Sequence, residues 1–534
     1  MRRSGWMVAV GVCACVTGAR AQDTALVDAG MLRLWQGNLE ALRETFRETR
    51  GTIAGRSLIP ILRVSLEWQE ERSPEGRLAH ARVIVRRLPG DTLLRTYTLE
   101  AAGDSFRLEQ ADPGREPRRW SKAASADALL PEQSIAAIAG LVSRAARRDT
   151  VFRVWSPGAD SALPMSFTFH GDSVAMQVAT LRMTAALSPD GRLATLVIPA
   201  QAARAERFVG DSLPPMRGID RPPPDYSAPA GAAYRAEEVR VSVRPATGDT
   251  FSLGCTLTKP SAARAPLPAV ITLTGSGQQD RDESLWPLVP DYRLYRQVAE
   301  RLAAAGIAVL RCDDRGFGAS RGPLDSVTIA DFADDASAQL AWLRARRDID
   351  GRRLAIVGHS EGGISGPIVA ARDPLLRALV VMAGPAKSMR AVVRDQFAWP
   401  VVSGRDIAPA QRDSLLAQAR QQADAFVERP LPYMAWAKDY DPLPTARRVR
   451  ASVLILQGAL DRQVSAGQAD TLAAAMRAAG NRDVTVRVFP GLNHLFLISP
   501  TDGSPSEYAA LTDAAVPAEV LDTLAAWLHT RLTR

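Results

Sequence analysis

Lysine is almost missing from this chain. Lys122, Lys259, Lys387 and Lys438 are the only four among 66 basic residues, and the arginines that make up the rest are interspersed with acids. No basic block or RNA-binding signature stands out, which argues against a nucleic-acid partner. Long apolar runs are missing too. After the N-terminus no stretch reaches about 18 apolar residues, so no integral membrane span is expected. Cysteine is scarce at four residues and histidine at five. No spacing resembles a metal site, and neither a metal nor an organic cofactor is implied. What remains is 46% hydrophobic and 23% charged over 534 residues, the balance of a globular protein of two or three domains.

Residues 1–21 are expected to be an export signal. Arg2 and Arg3 supply the positive start, Trp6 to Val16 a short apolar core, and Ala19-Arg20-Ala21 an A-x-A cleavage site before Gln22. Cleavage there removes three arginines and no acid, which lowers the formal charge from +8 to +5. The expected destination is periplasmic or extracellular. A lipoprotein alternative, with Cys15 lipidated, fits the local sequence poorly. Cys255 and Cys312 are then the cysteines left, and export permits a disulfide between them. Both lie in apolar strand-like runs, however, which favours buried free thiols.

Texture divides the remainder. Residues 24–210 are expected to form a β-rich accessory domain, 211–232 a proline-rich linker, and 233–534 the main domain. Within the first, 24–50 suggests one helix, with Leu26, Met31, Leu34, Leu39, Leu42 and Phe46 roughly on one face. From Leu58 to Pro199, alternating or β-rich runs separated by turn signals predict antiparallel strands, with helix around 131–147. No motif marks this domain; His80 and His170 read as strand or surface residues. The linker carries Pro214-Pro215 and Pro222-Pro-Pro224 amid Gly, Ser and Asp. From about Ala233 strands alternate with helices, which predicts a mostly parallel sheet flanked on both faces. Residues 388–448 break that rhythm with a helical insertion carrying Trp399, Tyr433, Trp436 and Tyr440, expected to be a cap.

Leu354 to Val357 is a short apolar run of buried-strand type. It leads into Gly358-His359-Ser360-Glu361-Gly362, a match to G-x-S-x-G, and a helix-like stretch follows. In that context the glycines allow a sharp turn that leaves Ser360 exposed in a strained position, and the Glu361 N–H can help hold an oxyanion. A serine hydroxyl needs a base, and the base an orienting acid. Of the five histidines, His359 adjoins the serine and His529 lies on the last helix. His494, in a turn-rich loop after a strand, is left as the candidate base. Asp461, just past the apolar run Val453 to Leu456 and between the serine and the histidine in chain order, is the candidate acid. The glycine-rich loop Thr274-Gly-Ser-Gly-Gln278 is expected to give a second oxyanion donor, the Ser276 N–H first and Gly277 second. The charged runs Asp280-Arg-Asp-Glu283 and Asp313-Asp-Arg315 are candidates to brace it through ion pairs.

Gly358-His-Ser-Glu-Gly-Gly363, Gly275-Ser-Gly-Gln-Gln-Asp-Arg-Asp282, Asp314-Arg-Gly-Phe-Gly-Ala-Ser320, Gln457-Gly-Ala-Leu-Asp461 and Asn493-His494 occur in register. Together they make residues 233–534 resemble the α/β-hydrolase superfamily, in its branch of bacterial esterases and serine-aminopeptidase-like hydrolases. Thr274 departs from the His-Gly pair common in that branch. The resemblance does not extend to 24–210. It implies a serine hydrolase acting on a small acyl substrate, with carboxylic ester favoured over peptide. An aminopeptidase would need cap carboxylates, such as Asp424, Glu428, Asp439 or Asp441, to grip an α-amine. The remaining rival is a non-catalytic binding protein on the same scaffold. Oligomeric state is not legible in the sequence.

Overall fold

A computed structural model describes residues 25–533 apart from 37–38, 89–90, 103–104, 124–125, 132–133, 157–161, 180, 200–202, 210–215, 217–223, 247, 263, 324–325 and 405–408. The expected export signal and much of the proline-rich linker lie outside the described residues. The chain divides into two units, one containing Glu40–Pro199 and the other Met216–Arg534. Among the described residues no helix is long and apolar enough to cross a membrane.

The first unit is built on a 15-stranded, largely antiparallel sheet. One helix, Ile135–Ala145, is buried on nearly every side. Its amino end is held by a carboxylate. Glu44 accepts from the Ser134 hydroxyl (2.8 Å), from the Ile135 and Ala136 amides (2.7 Å each), from Ser57 (2.8 Å) and from Trp68 (2.9 Å). Free amides at a helix start attract an acidic partner, so the helix is pinned to the sheet. Residues 24–50 are not a helix: Leu26–Gln36 and Leu39–Thr49 are strands. Positions four apart share a face in a helix and in a strand alike, so Leu42 and Phe46 satisfied both readings. The alternation was hidden because the buried face also carries Glu44 and Glu48, while Thr45 and Arg47 are exposed.

The second unit carries an eight-stranded sheet. Its strands are β1 (Tyr234–Val243), β2 (Phe251–Pro260), β3 (Leu267–Leu273), β4 (Ala308–Cys312), β5 (Ile349–His359), β6 (Ala378–Met382), β7 (Ser452–Gly458) and β8 (Val484–Phe489). The order across the sheet is β1-β2-β4-β3-β5-β6-β7-β8. β1 and β2 run antiparallel, as do β2 and β4, and the rest is parallel. Strands buried on both faces need apolar residues on both, which is why β6 is a continuous apolar run and β3 is apolar apart from Thr272. On one face Ala269 and Ile271 pack with α2 (Ile329–Arg344), α3 (Gly362–Arg372) and α8 (Gly467–Ala478). On the other, Val270 packs with α1 (Leu294–Ala304) and α9 (Ala518–Leu532). Between β6 and β7 the chain forms α4 (Met389–Ser403), α5 (Pro409–Val427), α6 (Pro432–Ala437) and α7 (Leu443–Ala446). This is the α/β-hydrolase architecture with a helical insertion, as the strand–helix rhythm leads one to expect.

Cys255 and Cys312 form a disulfide rather than two free thiols. They stand directly opposite one another on β2 and β4, with Cα atoms 4.0 Å apart. Cross-strand partners that close in an antiparallel pair are within bonding reach. Composition gives no hint of that register.

Candidate active site

Ser360 follows directly on β5 at φ +51°, in the left-handed region. Such a conformation costs about 1–3 kcal/mol for a residue with a side chain, and its surroundings hold it there. The Ser360 N–H donates to the Met382 carbonyl (2.9 Å). A Cβ at Gly358 would lie 2.1 Å from the Gly362 carbonyl oxygen, and one at Gly362 would lie 2.1 Å from the Leu273 carbonyl oxygen. These two positions therefore accept only glycine, and the turn between β5 and α3 is as tight as the motif demands.

His494 sits in the loop after β8. Asn493 shapes that loop: its Oδ1 accepts the amides of Leu495 (3.0 Å) and Leu497 (3.2 Å), and its Nδ2 donates to Glu507 (2.9 Å). His494 Nε2 lies 3.0 Å from Ser360 Oγ, and Nδ1 lies 2.7 Å from Asp461 Oδ2. Asp461 is buried, and its other contacts come from the Gln463 and Val464 amides and the Gln457 side chain, each at 2.8 Å. A carboxylate fixed by four donors holds the imbalance of the ring in one sense. Nδ1 carries the hydrogen, and the Nε2 lone pair faces the serine hydroxyl. The structure thus brings Ser360, His494 and Asp461 together. His80 and His170 belong to the first unit, and His529 on α9 contacts the Ala305 carbonyl (3.0 Å).

Ser276 and Gly277 line, with Ser360 and Glu361, a cleft of about 400 Å³. Its walls are mainly apolar, with Ile364, Val392, Val393, Phe426 and Met434 among them. The loop bearing Ser276 is anchored at both ends by Asp314, which accepts from the Thr274 hydroxyl and the Gln279 amide, both at 2.8 Å. Burial raises the Asp314 carboxyl well above its usual range. Thr274 is therefore a short tether from this loop to a buried acid. The neighbouring charges are ion-paired: Arg281 binds Asp313 (2.9 Å) and Glu238 (2.6 Å), and Arg311 binds Asp282.

Two features were not legible beforehand. The Glu361 side chain turns away from its amide into a buried position, where the Tyr433 hydroxyl of α6 donates to it. Burial pushes this carboxyl up to about 7, against the opposing effect of that hydrogen bond. His359, read from the sequence only as the serine's neighbour, makes a defined contact: Nδ1 is 2.7 Å from Glu283 Oε1, and Nε2 is 3.0 Å from the His494 carbonyl oxygen. A hydrogen bond of either kind links residues far apart in sequence, so no local pattern could announce it. Among the described residues, no group of three or more His, Cys, Asp or Glu side chains is gathered as a metal site requires.

Residues 289–501 match the family described as serine aminopeptidase, S33. Esterase EstD of Thermotoga maritima is 28% identical over 267 residues, which cover 49% of this chain and 62% of the relative. Over residues 289–501 the chain is therefore similar to hydrolases of that family. A second relative of the hydrolase kind, the thiohydrolase apmlB of Arthrinium phaeospermum, is 31% identical over 126 residues, covering 23% of this chain and 37% of the relative. The chain thus spans less than two thirds of the length of either curated relative. Among solved structures, the Pyrococcus furiosus esterase Pf2001 aligns with 58% of this chain and all of its own, at 15% identity and a TM-score of 0.38.

Proposed function

We propose that this chain is an exported serine hydrolase that cleaves carboxylic esters. The observation that carries the reading is the linear contact from Ser360 Oγ through both nitrogens of His494 to Asp461, at 3.0 and 2.7 Å. In the proposed reaction Ser360 Oγ attacks the acyl carbonyl while His494 Nε2 takes its proton. The resulting oxyanion is held by the Glu361 amide and by that of Ser276 or Gly277. His494 passes the proton to the departing alcohol, leaving an acyl group on Ser360. Water, deprotonated by the same nitrogen, then attacks that acyl group; the bond to Ser360 Oγ breaks as His494 returns the proton to Oγ, and the acid leaves. Asp461 keeps Nδ1 protonated and stabilises the imidazolium between these transfers.

Ester rather than peptide is favoured by where the insertion's acids go. Asp424 is paired with Arg394 (2.7 Å), Glu428 with Arg390 (2.6 Å) and Lys438 (2.5 Å), and Asp439 with Arg390 (2.8 Å). Asp441 accepts the Leu443 amide (3.0 Å). None of the four lines the cleft, so none is placed to grip an α-amine there. Export is supported by the Cys255–Cys312 disulfide, a bond that persists in oxidising compartments.

The test is a rate comparison on p-nitrophenyl acyl esters of increasing length against aminoacyl p-nitroanilides, with S360A as control. Ester turnover is expected to dominate and to vanish in S360A. Anilide turnover exceeding it would move the assignment to the aminopeptidase reading. Failure of a fluorophosphonate to label Ser360 in folded protein would favour a binding role instead.

A further inference from the structure

Three chain segments meet at the site: the loop after β3, the elbow after β5 and the loop after β8. A single buried pair touches all three. Glu283 and His359 are each about 3% exposed. Glu283 Oε1 accepts the Gly275 amide at 2.9 Å, the residue before Ser276, and lies 2.7 Å from His359 Nδ1. His359 is the residue before Ser360, and its Nε2 lies 3.0 Å from the carbonyl oxygen of His494 itself.

The hydrogens in this chain of contacts follow from the chemistry of the partners. A carbonyl oxygen only accepts, so His359 Nε2 carries a hydrogen. Nδ1 faces a carboxyl oxygen that already accepts the Gly275 amide. Burial lowers the His359 imidazole, but Glu283, with the His494 carbonyl and Asp461, together leave the ring above its usual value. Both nitrogens thus face oxygen acceptors, an arrangement that favours the protonated ring. The contacts are charge-assisted on each side, of the kind that fixes geometry most firmly. Glu283 is itself held at φ +55°, a left-handed conformation that a side-chain-bearing residue adopts under constraint. Phe496 closes the far side of the imidazole edge-on at 6.1 Å.

We propose that Glu283 and His359 are positioning residues that lock the oxyanion loop and the base-bearing loop onto the nucleophile elbow. The proposal rests on the hydrolase reading above. Neither side chain lines the cleft, so their effect passes through the backbone at Gly275 and at His494 and through the His359 ring, whose centroid lies 4.9 Å from that of His494. Loss of the pair lets the two loops drift relative to Ser360, and a misplacement of about 1 Å is enough to slow chemistry about a hundredfold.

The experiment measures kcat and KM on p-nitrophenyl butyrate for E283A, E283Q and H359Q, beside fluorophosphonate labelling of the wild-type chain. E283A and H359Q are expected to lose roughly 10–100-fold in kcat with KM within about twofold. E283Q is expected to recover most of the E283A loss. Its amide oxygen can take the place of Oε1, accepting both the Gly275 amide and the His359 Nδ1–H, so the geometry survives without the negative charge. If E283A fails to fold, the double variant E283Q/H359Q leaves no buried charge unpaired and is expected to show the same kcat loss. Unchanged kcat in folded E283A or in the double variant, a loss confined to KM, or E283Q no better than folded E283A would each overturn the proposal while leaving the hydrolase reading intact. An unlabelled, inactive wild-type chain would overturn both.

Discussion

Glu361 gives a prediction with a definite sign. Its carboxyl, ordinarily near 4.5, is pushed up to about 7 by burial, with the Tyr433 hydroxyl donating to it from α6 and the buried Asp314 carboxyl nearby. Below about pH 4.5 the folded and unfolded chains both hold this proton, and the site adds no pH dependence. Between about 4.5 and 7 the unfolded chain has released it while the folded chain keeps it, so stability falls as pH rises. The displacement corresponds to about 3 kcal/mol, fully lost above about pH 8. E361Q cannot ionise and keeps an acceptor for Tyr433. Its stability relative to wild type is therefore expected to climb by about 3 kcal/mol between pH 4.5 and pH 8.5. Urea titrations at unit pH steps across that range measure the difference. Asp335, pushed up to about 6 by burial, tilts both curves alike and cancels. Parallel curves for the two proteins would refute the reasoning.

Other perturbations have equally direct readouts. H494A is expected to lose several orders of magnitude in kcat with circular dichroism unchanged, and D461N about 10⁴-fold, since an amide cannot hold the ring in the required tautomer; near-normal turnover in either would mean the wrong partner has been named. C255S should lower stability by about 4 kcal/mol, from the 57-residue separation that the disulfide closes. Urea denaturation with and without reductant checks this, because reduced wild type should match the variant. G362A should abolish folded, active protein, because its new methyl would lie 2.1 Å from the Leu273 carbonyl oxygen; soluble protein with wild-type turnover would contradict that geometry.

The parts of the fold legible in the sequence are those written locally. α9 occupies Ala518–Leu532 because its apolar residues keep a helical period to the end, and the elbow is marked by two glycines that no other residue can replace. What was not legible depends on register or on long separation. Leu39–Thr49 reads as a helix because its buried carboxylates break the apolar alternation. The Cys255–Cys312 bond follows from which residues oppose one another on β2 and β4, a fact about pairing rather than composition. Tyr433 and Glu361 lie 72 positions apart, and Glu283 and His359 lie 76 apart. Neither pair belongs to a motif whose spacing could betray it. The acids at 424, 428 and 439 looked available only because Arg390 and Arg394, which pair with them, lie 30 or more positions away in the sequence.

The carboxylate at position 44 constrains how the first unit can be assembled. Two of its five donors, Ser57 and Trp68, follow soon after it, but the other three arrive only with residues 134–136. A nascent chain halted before that point would enclose an anion starved of most of its partners, so the early strands have no comfortable resting state of their own. Maturation of this half is expected to be all-or-none, with the helix as the piece that completes it rather than a decoration added afterwards.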